Sequence, residues 1–460
     1  MQNRLDAASL DTSCKTTPTA SERNDDSVAE KGFLATDNTT APQTFTSNII
    51  SYIRTSGNDH GPPPDGGLQA WSQILWAHLT ITSTWGYVTA FGVFQTYYTQ
   101  MLDETPSTIS WIGSVQVFFL FLVGTLSGRA SDAGYFKLIW GIGALLVLLG
   151  VFMASISTQY WQLFLSQGLC LGIGSGLMFC PVLSLISTYF AKNRALAVGI
   201  SATGSSTGGL VFPAVLEQLL PRIGFPWTMR VLGFLTLAML VPPFIFFKPR
   251  VPPRTGGPVV EWEAFKDPSY TLFGIGVFFN FWGLYVAFFY IGSFARDIIG
   301  VDHSTSINLL LIMNGAGMPS RIIPNLLADR SMGPMNLLIP VMFFTAITLY
   351  GWIGVTQIKG LYAFSVIYGI FAASLQSLFP ASLTSLTEDF KKIGVRTGMV
   401  LSIISFACLT GSPIAGALVQ HGDGNYLYAQ CFAASSMICG CMLVVLARVW
   451  KTGWVLRARI

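Results

Sequence analysis

Twelve apolar segments, each about 20 residues long, succeed one another from Ala70 onward, centred near Thr82, Phe118, Val147, Gly172, Gly204, Leu237, Phe281, Ile312, Phe344, Ser374, Cys408 and Met437. A segment of that length coiled as an α-helix reaches about 30 Å, the thickness of the hydrocarbon core of a bilayer. Lipid offers no partner to exposed backbone polar groups, so helices that satisfy their own N–H and C=O groups are the form such runs take. Charged residues are only 10% of the 460, against roughly 25% in soluble domains. The reading is an all-α membrane protein of 12 transmembrane helices, and an ordinary soluble domain is excluded.

The basic residues orient the chain. Of 26 Lys and Arg residues, 16 fall in loops on the side of the amino-terminal tail or in the carboxy-terminal stretch, and only Arg222, Arg230, Arg296 and Lys359 fall in the opposite loops. The positive-inside rule then puts both termini in the cytosol. Residues 1–64, rich in Ser, Thr, Asn and Asp and ending in GPPP, read as a disordered cytosolic tail. Residues 65–248 form a first six-helix bundle, 249–268 a Pro/Gly-rich cytosolic linker, 269–450 a second six-helix bundle and 451–460 a cytosolic carboxy terminus. A net charge of +4 gives no ground for a nucleic-acid partner. Cys14 lies in the tail and the six other cysteines lie in apolar stretches without CxxC spacing, which predicts small buried hydrophobes rather than a disulfide or metal framework.

The two bundles echo one another. Gly128–Gly134 reads GRASDAG after the second span and Leu327–Gly333 reads LADRSMG after the eighth. Arg194 leads into Gly199, Gly204, Gly208, Gly209 and Pro213 in span 5, while Arg396 leads into Gly398, Gly411, Pro413 and Gly416 in span 11. A parallel six-plus-six repeat is the sequence sign of an alternating-access transporter with its site between the halves.

These motifs, with Pro64-Asp65-Gly66-Gly67 and Trp71 at the entry to span 1, resemble the monocarboxylate-porter-like branch of the major facilitator superfamily, fungal type. YFAKNRALAVGISATGSSTGGLVFP and NGAGMPSR are similar to stretches of its fungal members. The likeness covers about residues 64–450. It implies the 12-helix major facilitator fold, cytosolic termini and two bundles rocking about a cavity lined by spans 1, 4, 7 and 10. Members that carry lactate-sized acids have a lysine in span 1 and an acidic residue one turn before the span 8 arginine. Here Thr82–Phe94 holds no lysine and the residue four before Arg321 is Gly317.

Arg321 is the basic residue placed well inside a span, where a charge costs about 2.5–3.5 kcal/mol on insertion scales. The expected offset is the anionic group of a substrate, gripped by the guanidinium fork; the competing reading is a place near the cytosolic end, paired with Asp329 or a helix C-terminus as part of the gate. Span 7 reads FFNFWGLYVAFFY from Phe278 to Tyr290, eight of its thirteen positions being aromatic, which suits a bulky conjugated molecule better than a two-carbon acid. Trp282, Tyr285 and the amides Asn280, Asn314 and Gln376 complete the expected substrate site, since an unpaired amide facing lipid costs several kcal/mol. His78, the one histidine within a span, is the candidate for proton coupling, against the plainer role of bonding a neighbouring helix. Asp132 with Arg129, and Asp329 with Arg330, are the expected cytosolic gate, by the resemblance.

Gly168, Gly172, Gly174 and Gly176 lie in an apolar span with no preceding strand, so they read as close helix packing and not as a nucleotide loop. No enzymatic constellation, cofactor motif or metal spacing is present in the sequence. The expectation is a monomeric secondary transporter in the plasma membrane exporting an organic anion or secondary metabolite. Proton-coupled uptake of small monocarboxylates or a vitamin-like acid, and a transporter-like nutrient sensor, are the alternatives.

Overall fold

The computed structural model describes residues 61, 63–252, 260–387 and 393–453, so the tail, the middle of the linker and the last residues fall outside the described part. Its elements are α1 (Gly67–Thr89), α2 (Phe91–Leu102), α3 (Pro106–Ala130), α4 (Phe136–Ala154), α5 (Leu171–Tyr189), α6 (Arg194–Phe246), α7 (Pro268–Asp297), α8 (His303–Ser320), α9 (Pro334–Ile353), α10 (Ile358–Ser385), α11 (Ile393–His421) and α12 (Leu427–Thr452). Span 1 is α1 continued by α2, and spans 5 and 6 are two arms of α6. Local chemistry starts several of them. Thr105, Asp267 and Asp302 accept from the backbone N–H of Thr108, Ser269 and Thr305, and Pro106 and Pro268 occupy the first helical position.

α6 folds back on itself. Tyr87 stacks on Phe212, with ring centroids 4.4 Å apart, and its hydroxyl meets Thr236 at 3.1 Å. In a straight helix those two partners would stand about 36 Å apart. The reversal falls at Gly224, whose φ of +73° is open to glycine, between Pro221 and Pro226. Gly134, at φ +95° within the wide turn Ser131–Tyr135, reverses the chain in the same way between α3 and α4.

Glycine brings the helices together. A Cβ on Gly208 would stand 2.4 Å from the Gly86 Cα, and one on Gly283 would stand 2.4 Å from the Ala433 carbonyl, so α1 meets α6 and α7 meets α12 backbone to backbone. The halves join along a matched seam, α3 against α11 and α6 against α8. On the tail side, Thr125 donates to the Gly398 carbonyl at 2.7 Å and lies 2.9 Å from the Ser402 hydroxyl. On the opposite side, Ser107 donates to the Pro413 carbonyl at 3.1 Å and Tyr290 to the Ser412 carbonyl at 3.1 Å. Hydrogen bonds thus tie the seam at both ends, and the membrane-facing outside keeps large apolar residues such as Leu145, Phe234 and Met442 exposed.

Candidate functional site

Between the halves lies a pocket whose wall is built by Ile81 and Trp85 of α1, Phe179 and Leu183 of α5, Val198, Ala202 and Ser205 of α6, Phe281 of α7, Arg321 just past α8, and Gln376, Ser377, Phe379 and Pro380 of α10. It takes in about 450 Å³ of space between atoms, open solvent at its mouth included. Its rings are packed edge to face: Trp85 with Phe179 at 5.4 Å and with Phe121 at 5.3 Å, and Phe281 with Phe379 at 5.1 Å.

Arg321 ends α8, its backbone N–H bonded to the Gly317 carbonyl, and its side chain is only 2% exposed. The guanidinium donates from Nε to the Ser206 hydroxyl at 3.3 Å, from Nη1 to the Ala373 carbonyl at 3.0 Å and from Nη2 to Gln376 Oε1 at 3.2 Å. All three partners are neutral, and among the described residues no carboxylate pairs with it. The gate pairing with Asp329 does not form, because Asp329 takes the backbone N–H of Leu196 at 2.9 Å instead.

The expected substrate residues divide. Gln376 lines the pocket beside Arg321, and Tyr285 lies behind the wall, buried and stacked on Trp85 at 6.5 Å. Asn280, Trp282 and Asn314 are not on the wall. Asn280 donates to the Gly276 carbonyl and presses on Gly440 of α12, Trp282 donates to Thr410 of α11 at 2.9 Å, and Asn314 donates to the Leu310 carbonyl and packs on Gly209 of α6. The Trp282 indole ties α7 to α11, and the two amides bond within their own helices while packing on glycines of a neighbour, an arrangement that an aromatic-rich segment read without its helical rotation could not reveal.

His78 sits between α1 and α6, its Nδ1 3.1 Å from the Thr203 hydroxyl and its Nε2 3.2 Å from the Thr207 hydroxyl. Both hydroxyls already donate to backbone carbonyls, of Ile200 and Thr203. They thus offer the ring two acceptors, which a neutral imidazole with one N–H cannot fully use.

Of the expected gate, Arg129 lies in the last turn of α3, Asp132 in the turn Ser131–Tyr135, and Asp329 and Arg330 in the wide turn Ala328–Met332 after α8. Outside the expected set, Asp65 braces the same end of the first bundle. Its carboxylate accepts from the backbone N–H groups of Ala191 and Lys192 at 2.6 and 2.8 Å, and its own N–H bonds the Tyr189 carbonyl. Asp65 adopts a left-handed φ of 51° between Pro64 and Gly66, so the PDGG string itself was the available signal. Trp85 was missed too, although it stands in an unusually polar stretch of span 1, Thr80 to Thr84.

Two pseudo-repeated helical bundles closed around a central pocket with a buried cation at its wall have the build of a membrane transporter. The sequence model of the Major Facilitator Superfamily matches residues 77–358. An MFS-type transporter of Gibberella zeae is 46% identical over 94% of this chain and 99% of its own length. The aspyridones efflux protein apdF of Emericella nidulans is 38% identical over 87% of this chain and 84% of its own, and the MFS-type transporter dbaD of the same organism is 35% identical over 83% and 86%. The chain belongs to the Major Facilitator Superfamily.

Proposed function

We propose that this transporter exports an anionic secondary metabolite, with Arg321 as the group that grips the anion. The observation that carries the proposal is a guanidinium buried at the wall of an aromatic pocket with three neutral partners and no carboxylate. Such a charge is held at a cost that an incoming anion offsets. Gln376 positions the fork, and the rings of Trp85, Phe179, Phe281 and Phe379 enclose a conjugated body. The efflux protein named for aspyridones supports export as the direction. His78 serves as the proton-coupling group, taking a second proton against the paired acceptors of Thr203 and Thr207. In this reading the tail side is the cytosol, the membrane is the plasma membrane, the working unit is a monomer, and Asp329 latches the cytosolic gate across the halves while Asp65 braces the loop before α6.

The test is efflux of radiolabelled anthracene-2-carboxylate from preloaded yeast expressing wild type or Arg321→Leu at matched surface amounts. Faster efflux by wild type alone supports the reading, and equal rates overturn it. Uptake of acetate, lactate and pyruvate at pH 5 and pH 7 runs beside it. Arg321-dependent uptake that strengthens at pH 5 would replace export by proton-coupled monocarboxylate entry.

A further inference from the structure

The wall of the pocket holds unpartnered donors beside a buried positive charge. Trp85 Nε1 and Gln376 Nε2 are both buried without a partner, and the Tyr285 hydroxyl behind them is in the same condition. An indole N–H can only donate, a primary amide nitrogen carries two donors, and Arg321 has five N–H groups of which three bonds are accounted for. On the acceptor side, no carboxylate among the described residues lines the pocket, and Gln376 Oε1 is taken by Arg321. The hydroxyls of Ser205 and Ser377 give their protons to the carbonyls of Ala202 and Ser374, and Ser377 also accepts from Asn325, so both turn only acceptor lone pairs to a cargo, weaker ones than a carboxylate. A buried donor left unmade costs about 1–3 kcal/mol, so a cargo that fills these donors is favoured over one of equal shape that does not.

We infer that Trp85 and Gln376 are specificity-determining donors that select, among flat organic anions, those bearing additional carbonyl or enolate oxygens on the ring system, and that the pocket rejects cationic amines. The inference rests on the reading of Arg321 as the anion site. Oxygen-rich conjugated acids satisfy the indole and amide donors while the charged group occupies the guanidinium. A bare hydrocarbon acid fills the same rings and leaves the donors empty. An ammonium leaves those donors empty and meets the fixed positive charge of Arg321.

Equilibrium dialysis of the purified full-length protein against three frames of one shape separates these cases: anthraquinone-2-carboxylate, anthracene-2-carboxylate and 2-(aminomethyl)anthracene. Wild type is expected to prefer the quinone acid about tenfold over the hydrocarbon acid, the equivalent of 1.4 kcal/mol, and to bind the amine least. Trp85→Phe keeps a ring and deletes the N–H, and Gln376→Met keeps the length and deletes the amide. Trp85→Phe is expected to lower the quinone preference about three- to tenfold with little change for the hydrocarbon acid, whereas Gln376→Met, which also removes a partner of Arg321, is expected to weaken both acids and the quinone acid more. No preference in wild type, or a preference untouched by both variants, overturns the inference. If Arg321→Leu still abolishes binding of both acids in that case, the anion site stands alone. If Arg321→Leu leaves both acids bound, it is the proposed function that fails.

Discussion

The carboxylate of Asp329 accepts the backbone N–H of Leu196 at 2.9 Å, and the two residues belong to opposite halves of the chain. Leu196 lies in the first turn of α6, where N–H groups have no partner within the helix and the helix dipole is positive. Asp65 caps the same region from the other flank through Ala191 and Lys192, and Arg194 lies in the field of both carboxylates. The tail-side end of the seam is thus closed in part by charge against helix ends. The opposite end is closed by the neutral hydroxyls of Ser107 and Tyr290 against carbonyls around Pro413. Only the first kind of closure responds strongly to pH and salt.

Acidity is expected to tighten the tail-side latch. Burial holds the Asp329 carboxyl above the usual carboxylate range, even though the Leu196 N–H and Arg194 pull it down. A latched carboxyl that binds its proton more tightly than a solvated one favours the latched form below that range. The preference falls as pH rises through the interval between the ordinary and raised values, and is constant above it. The check is the labelling rate of Val198→Cys, a pocket position, by a reagent applied from the tail side in a cysteine-depleted background. Labelling should rise from acid to neutral pH, and Asp329→Asn should remove the step.

Arg321→Leu is expected to abolish transport, by about 100-fold or more, since charge-assisted hydrogen bonds contribute about 1.5–3 kcal/mol each. Surface expression should stay near normal, because the change also removes the cost of burying a charge. Arg321→Lys keeps the charge and loses the fork, so it should retain a measurable fraction. Efflux per surface molecule decides the case, and loss of surface protein in both variants would move Arg321 to a structural role.

Much of the fold was legible because lipid leaves a chain few options. Twelve runs of helical length, the positive loops and the GRASDAG and LADRSMG echo define two bundles without any side-chain contact. The site was legible only where a residue is anomalous in its surroundings. A charge in a span exposed Arg321, and a histidine in a span exposed His78. Asn280, Trp282 and Asn314 carry the same residue chemistry as Gln376, and what separates them is which way each helix is turned. With aromatic residues on every face of α7, no hydrophobic stripe records that rotation. The latch was half legible: Asp329 follows from the repeat, whereas its partner is a backbone N–H that no side-chain pattern encodes.

His78→Gln is expected to retain transport at neutral pH and lose its dependence on acidity. Glutamine still offers one donor and one acceptor to Thr203 and Thr207, but it has no second proton to take. His78→Leu should lose the pH response as well and still fold, because both threonine hydroxyls keep their bonds to the carbonyls of Ile200 and Thr203. Efflux measured at pH 5.5 and 7.5 is the test. A pH response unchanged in both variants would leave His78 a helix–helix contact.

Gly208→Val is expected to prevent assembly of the first bundle. A Cβ there would stand 2.4 Å from the Gly86 Cα and 2.7 Å from the Thr82 carbonyl, both backbone atoms that cannot swing aside. Overpacking of a well-filled interior costs about 1–3 kcal/mol even where side chains can yield, and here α1 and α6 would have to part along their whole contact. Gly351→Ala is the matched control, since nothing lies within 4 Å of a Cβ at that position. Size-exclusion profiles of the detergent-solubilised proteins should show a single peak for Gly351→Ala and aggregate for Gly208→Val. A monodisperse Gly208→Val with full transport would mean that α1 and α6 do not stay in contact at Gly86 during the cycle.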